Sequence, residues 1–357
     1  MLNLLFFLPF LLVFLLVAVY VERKISAFIQ DRIGPMETGK YGLLQTLADI
    51  IKLLQKEDIV PTKADKLLFR AAPFLIFMAV FAGFSFIPLA FTLGGSETET
   101  ALFMLLAVIS LDVLGIVAAG WGSNNKYALF GAIRSVAQII SYEIPLGLAV
   151  LCVVVTSQTL DLQAITIKQS LFSTQEIFLF GITPISVTQI GGFLSWNVVQ
   201  SPLLLFVFLI FFVASLAESN RTPFDLPEAE SELIAGFHTE YSGFRWAVFM
   251  LAEYGMMLLM CLLASVLFFG GWSSALPNLG LFAFGSWTSG DIAGISGILW
   301  AIFWLFSKTM LLVGIQMWIR WTYPRLRIDQ LMDLCWKYLT PFGLVLLFLC
   351  SFWRLFM

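Results

Sequence analysis

Eight stretches of this chain run for roughly 20 residues with almost no charge, a length that fits the roughly 30 Å hydrocarbon core of a bilayer. They cover residues 3–22, 71–91, 101–120, 135–156, 198–217, 246–269, 297–319 and 338–356. Lipid offers no partner for a backbone N–H or C=O, so only helices and closed barrels cross it. None of the eight alternates apolar and polar residues as a barrel strand does, and the reading is therefore helical. The chain is expected to be all-α, a polytopic membrane protein in a single domain over 1–357, with eight transmembrane helices. Only 12 % of its residues are charged, against 60 % hydrophobic, which excludes an ordinary water-soluble domain. No low-complexity linker or internal repeat divides it.

The bases set the orientation. Segments 23–70, 121–134, 218–245 and 320–337 fall on one side of such a bundle and hold 17 of the 20 Lys and Arg. Cytoplasmic loops carry an excess of this kind, so this side is read as cytoplasmic and both termini as periplasmic. The first span has no base before it and Arg23 and Lys24 after it, the pattern of an N-outside helix rather than a cleaved signal. Residues 41–57 put Leu43, Leu47, Ile50, Ile51 and Leu54 on one helical face and Asp49, Lys52 and Lys56 on the other. Too short and too charged to span, this segment is expected to lie in the plane of the membrane surface. It serves either as an anchor or as one wall of a lipid-accessible cavity.

Polarity enters the membrane at Asp112, Glu143, Glu253 and Lys308. An ionisable side chain at such depth demands a partner or water and marks function by default; the competing reading is a set of structural ion pairs, which is the favoured one for Asp112. Glu143 falls about nine residues into its span, roughly 14 Å deep. Pro145 has no N–H to donate, so a local break in the helix is expected beside it. Lys308, near mid-span, calls for a carboxylate or water as neighbour.

The segment AESNRTPFDLPEAESELIAGFHTEY (217–241) directly follows an apolar run. It gathers Glu218, Asp225, Glu228, Glu230, Glu232 and Glu240 around one base, Arg221. A solvated acidic loop is the plain explanation for such a run. Against it, Phe224, Leu226, Leu233, Ile234 and Phe237 interleave the acids, and Pro223 and Pro227 stiffen the entry. Glu228 and Glu232 would also crowd like charges if helical. Crowded, partly buried carboxylates cannot all ionise, so some are expected to hold protons near neutrality. The loop reads as a proton reservoir.

His238 is the chain's one histidine and reads as a structural side chain ahead of a proton carrier. Around it a metal site would lack ligands. Cys152, Cys261, Cys335 and Cys350 form no CxxC pair, and iron–sulfur or bis-histidine haem ligation needs more. The chain is expected to bind no metal and to carry no redox centre of its own.

These blocks resemble a known family. VERKISAFIQDRIGP (21–35), GLLQTLADIIKLLQKED (42–58), SNNKYALFGAIRSVAQIISYEIP (123–145), the acidic loop, LAEY (251–254) and WIRWTYPRLRIDQLMDLCWKYLTP (318–341) occur in order. Together they are similar to the quinone-chamber membrane subunit of respiratory complex I, the proton-pumping NADH:quinone oxidoreductase. The resemblance implies eight transmembrane helices and a quinone tunnel opening between the first helix, the amphipathic helix and the sixth. It places Arg23, Arg32, Asp49 and Lys52 near the tunnel mouth, with Arg221, Phe224 and Asp225 shaping the loop that walls it. Glu218, Glu228, Glu230, Glu232 and Glu240 would form an acidic relay, continued into the membrane by Glu143, Glu253 and Lys308. It further implies quinone as substrate, with FMN and iron–sulfur clusters in partner subunits of a peripheral arm, alongside other membrane-arm subunits and lipid, and no nucleic acid. The implied location is a bacterial inner membrane, with the mitochondrial inner membrane as the alternative. Residues 36–40 depart from the family pattern beside the tunnel mouth, the external loops 157–197 and 270–296 look long, and the resemblance gives Asp112 no role.

Two other functions stay open on the residues. A stand-alone cation/proton transporter would also use intramembrane acids and Lys308, although it has no need of a large apolar-interleaved cytoplasmic loop. The corresponding subunit of a membrane-bound hydrogenase or ferredoxin-driven oxidoreductase would keep the architecture and change the electron donor.

Overall fold

The computed structural model describes residues 2–95, 98–173, 178, 180, 187–188, 190–225, 234–278, 283–291 and 294–356. Every extended element among them is helical: α1 (Leu2–Ile29), α2 (Gln45–Gln55), α3 (Lys66–Gly83), α4 (Ala101–Ile109), α5 (Asp112–Gly122), α6 (Lys126–Ser157), α7 (Pro202–Glu218), α8 (Gly243–Phe268), α9 (Ile295–Thr322) and α10 (Ile328–Leu355). Seven units are long and apolar enough to cross a membrane, with α4 and α5 counted as one, Ala101–Gly122. The remaining expected span is α7, a shorter apolar helix of 17 residues. At 1.5 Å per residue it is about 25 Å long, near the lower limit for crossing. Seven candidate spans and this shorter apolar helix thus stand where the sequence predicts eight spans.

Apolar runs mark depth in the membrane better than they mark helix ends. The run expected over 71–91 lies in a helix that starts at Lys66, because the Asp65 carboxylate accepts from the Leu67 N–H at 3.1 Å and caps it. Likewise α6 begins at Lys126, where Asn125 accepts from Tyr127 N–H, and α1 continues through Arg23 and Lys24 to Ile29. Glu143 therefore sits 17 residues beyond the start of its helix, about 25 Å along the axis, although its distance into the apolar run is unchanged.

Helix α8 is the centre of the bundle. All residues from Tyr254 to Phe268 are buried, as expected for a helix that is hydrophobic all round, and α1, α2, α3, α7 and α9 pack against it. Helix α6 forms a second hub with α5, α7 and α10. Large apolar side chains on the periphery, such as Val13, Leu114, Leu299, Leu311 and Phe348, remain exposed. In a bilayer that surface is lipid-facing.

Pro145 does not break α6, which is continuous from Lys126 to Ser157. Proline deprives the carbonyl four residues back of its usual donor, here that of Ser141. The Cys335 thiol donates to that oxygen at 3.0 Å, and the Tyr142 hydroxyl, one residue on, donates to the Leu331 carbonyl at 2.9 Å. The neighbouring helix thus supplies the bond that proline removes. The break falls elsewhere, at Ser110–Leu111 between α4 and α5, directly before Asp112.

Candidate functional site

Arg221 organises the site. The chain leaves α7 with the Arg221 N–H bonded to the Leu216 carbonyl, and the Arg221 carbonyl accepts from Phe224 N–H at 2.8 Å. This turn carries the guanidinium inward, where it is only 2 % exposed. Its Nη1 donates to Glu22 Oε2 of α1 at 2.9 Å, and its Nε stands 2.9 Å from Glu253 Oε1 of α8. The Tyr254 hydroxyl donates to the same Glu22 oxygen at 2.7 Å, and the guanidinium carbon lies 4.1 Å from the Tyr254 ring centroid, in cation–π contact. Arg320 of α9 pairs with the other Glu22 oxygen, while Arg325 holds Asp225 at 3.0 Å.

The result is a network of three carboxylates and three guanidiniums, drawn from α1, the loop after α7, α8, α9 and the segment following it. Burial opposes the charge on Arg221, but Glu22 and Glu253 outweigh it and hold the group firmly protonated. For Asp225 burial dominates: it pushes the carboxyl above the usual range although Arg325, Arg320 and Arg221 pull the other way.

This network borders a cavity of about 290 Å³ between α1, α2, α8 and α9. Leu15, Leu16, Val19, Ile50, Leu53 and Trp246 give it apolar walls, and Glu22, Arg23, Asp49 and Arg320 make it charged at one side. Arg23 and Asp49 pair across α1 and α2 at 2.6 Å. Gln45 donates to the other Asp49 oxygen at 3.1 Å, so Asp49 turns towards α1 and the cavity. Leu43, Leu47, Ile51 and Leu54 stay on the outer face of this segment.

A second group of acids gathers around the break between α4 and α5. Asp112 starts α5 and feels the charge of Glu143, and Glu218 at the end of α7 feels both. Glu143 is in hydrogen-bond reach of the Ser110 hydroxyl at the helix break. Asp112, Glu218 and Glu253 also line a further cavity with Asn220 and His238. Met250 lines both cavities and stands between them.

The structure therefore brings together Arg221, Asp225 and Glu253 in one cluster, Arg23 and Asp49 at its cavity, and Glu143 and Glu218 in the second group. Phe224 is buried edge-on to Tyr142, with ring centroids 5.2 Å apart, and fixes the loop on α6. Glu240 accepts from Asn125 Nδ2 at 2.5 Å, which ties the end of the acidic loop to the start of α6. Arg32 lines an open depression beside Arg23 and Gln45, and Lys52 is exposed on α2. Glu228, Glu230 and Glu232, with Leu226 and Leu233, lie outside the described residues.

Lys308 departs from expectation. Instead of a carboxylate or water, its ammonium meets the backbone carbonyls of Phe269, Gly271 and Ser273 at 2.8, 3.0 and 2.7 Å. Three N–H donors match three acceptors. The turn that presents them needs positive φ at Gly270 and Gly271, +70° and +47°, where a side chain is strained. Lys308 thus pins the loop after α8.

Asp112, expected as a structural ion pair, has no cation within pairing distance among the described residues; its charged neighbours are acids. Glu22, Tyr254 and Arg320 join the site although the sequence-derived set omits them. Glu22 had a signal, since it is an acid at the end of the first apolar run, one residue before Arg23. Arg320, flanked by aromatic residues in WIRW, had a weaker one.

Comparison with known proteins supplies the family. The sequence model of the NADH dehydrogenase family matches residues 2–351. The chain is 55 % identical to the NADH-quinone oxidoreductase H subunit numbered 2 of Cytophaga hutchinsonii, covering 99 % of this chain and 98 % of that one. It is 51 % identical to the NADH-quinone oxidoreductase H subunit of Chlorobium luteolum, over 95 % and 84 %, and 42 % identical to that of a Geobacillus species, over 95 % and 89 %. With the family matched along nearly its whole length, the chain belongs to the NADH dehydrogenase family, as an H-type membrane subunit of NADH-quinone oxidoreductase.

Proposed function

We propose that the cavity between α1, α2, α8 and α9 admits a quinone from the lipid and that its reduction drives protons through the buried acids. The observation that carries this reading is the joining, in one cavity, of apolar walls to the Glu22–Arg221–Arg320 network. An isoprenoid-like tail requires the first and a head group that gains charge responds to the second. Electrons would come from FMN and iron–sulfur clusters held by partner subunits docked on the base-rich face. That face is the cytoplasmic one, and both termini are periplasmic.

A quinone that takes two electrons takes two protons. The change of charge is felt first by Glu22, Arg221 and Glu253, and then by Asp112, Glu143 and Glu218. The acids of the loop, Glu228, Glu230 and Glu232, together with Glu240, supply the cytoplasmic side of the relay. A unit charge at about 4 Å with an effective dielectric constant of about 20 is worth about 4 kcal/mol. Moving one charge against about 150 mV requires about 3.5 kcal/mol, so electrostatics of this size suffice for one step. In this reading Lys308 anchors a loop and takes no part in the relay. A stand-alone transporter has no use for the tail-shaped cavity, and the names of the relatives favour a quinone acceptor over a hydrogenase partner.

Ala247 lines the cavity wall, and Ala247→Trp fills it. The expected result is a severalfold rise in KM for a long-tailed quinone and a smaller one for a short-tailed analogue. Leu53→Trp, on the opposite wall, gives the same pattern should the first variant fail to assemble. Unchanged KM values in both would refute the assignment.

A further inference from the structure

His238 is buried and lines a second cavity. This cavity of about 40 Å³, enough for a few waters at roughly 10–15 Å³ each, lies between α3, α5, α8 and the loop after α7 and is lined by Asp112, Glu218, Glu253, Asn220 and His238. Oδ1 of Asp112 and Oε2 of Glu218 are buried and have no hydrogen-bond partner among the described residues. Space lined by several such polar atoms takes ordered water. The carboxylates stand in two groups. Glu253 belongs to the Arg221 network, whereas Asp112 and Glu218 belong with Glu143.

The backbone fixes the imidazole at the wall of the cavity that both groups line. Gly236 turns with φ +61° and lies so close to α6 that a Cβ on Gly131 would meet its backbone at 2.8 Å. The Thr239 hydroxyl and Tyr241 N–H bond to the Gly236 and His238 carbonyls at 2.6 and 3.0 Å. The Phe237 ring stands perpendicular to the imidazole at 5.2 Å, and Phe249 of α8 lies 6.5 Å away. A neutral imidazole offers one donor and one acceptor at opposite edges, which neither an ionised carboxylate nor an arginine does. Burial depresses the His238 pKa to about 4, so the ring stays neutral through the working range despite the acids facing it: Asp112 from α5, Glu218 from α7 and Glu253 from α8.

We propose that His238 is a positioning residue of the proton path, a neutral hydrogen-bonding bridge that joins Glu253 to Asp112 and Glu218 through water in this cavity. The inference rests on the proton-coupling reading above and adds to it the link between the two groups of acids.

The test uses the whole assembled oxidoreductase in sealed vesicles, reading NADH-driven acidification and its pH profile. His238→Leu removes both polar edges and is expected to lower proton translocation about tenfold, the scale of losing a buried hydrogen-bonded link. His238→Met is the second apolar variant should the first not assemble. His238→Asn and His238→Gln each keep a donor and an acceptor, and at least one is expected to recover most of the rate. The recovered variant should show the wild-type pH profile between about pH 6 and 8, because a neutral bridge does not titrate there. Normal translocation in the apolar variants, failure of both amides to recover, or a displaced profile in the recovered one would each overturn the bridge. Glu218→Gln serves as reference. If it pumps normally, the acidic relay itself fails; if it does not pump while His238→Leu does, only the bridge fails.

Discussion

Replacing Arg221 by Met would leave two carboxylates without their shared cation, and the structure predicts which of them suffers. Glu22 keeps Arg320 and the Tyr254 hydroxyl. Glu253 has no other cation within pairing distance among the described residues. Removing one partner of a buried ion pair typically costs about 3–5 kcal/mol, because the charge left behind is desolvated and uncompensated. Most of that cost should therefore fall on Glu253. The double variant Arg221→Met with Glu253→Gln is expected to regain about 0.5–3 kcal/mol relative to Arg221→Met alone, the range of couplings between touching residues. Arg221→Met with Glu22→Gln should regain less, since it strands Arg320 in turn. The assay is the apparent transition temperature of the assembled complex in mild detergent, followed by retention of its subunits on native gels. The expected order is wild type, then the Glu253 double variant, then the Glu22 double variant close to the single one. If the two double variants change places, or all three melt together, the account of the network is wrong.

Two further outcomes follow from the loop that carries His238. Gly131→Ala would drive a Cβ to 2.8 Å from Gly236 backbone atoms and 2.9 Å from Phe237 N. Backbone cannot yield as a flexible side chain does, so about 1–3 kcal/mol of overpacking is expected, with faster proteolysis in 218–245; Gly147→Ala, with open space around its Cβ, should change neither. Folded His238 stays neutral down to about pH 4, whereas the unfolded imidazole takes a proton below about pH 6.5. The cost of holding it neutral is nil above that pH and grows to about 3 kcal/mol as pH falls to about 4. Stability measured from pH 7.5 to 4.5 should therefore decline less steeply in His238→Gln than in the wild type, and parallel curves would contradict the burial argument.

Much of the site was legible in the residues because its chemistry is costly in lipid. Glu143, Glu253 and Lys308 stand out as charges inside apolar runs, and Arg221 as the one base of an acidic loop. Which charges meet was not legible. Glu22 and Arg221 are 199 positions apart, and Glu22 and Arg320 are 298 apart; no local pattern encodes such a pairing. Lys308 shows the same limit from the other side. A buried ammonium calls for acceptors, but backbone carbonyls serve as well as carboxylates, and only the turn at Gly270–Gly271 shows which it has. Pro145 was read as a break because proline removes a donor; the Cys335 thiol that replaces it lies 194 positions beyond the Ser141 carbonyl it serves.

By itself the sequence determined the all-helical, membrane-embedded class, since long uncharged runs can satisfy their backbone in lipid only as helices. It also determined the amphipathic helix at 45–55 and, through its ordered blocks, the family. Tertiary structure alone decided that Asp112 joins Glu143 and Glu218 where a span breaks, and that Asp49 turns to Arg23. It also decided that one arginine ties α1 to α8. The physical reason is that hydropathy is summed along the chain, residue by residue, whereas the energy of a buried charge depends on what lies within a few ångströms of it in space.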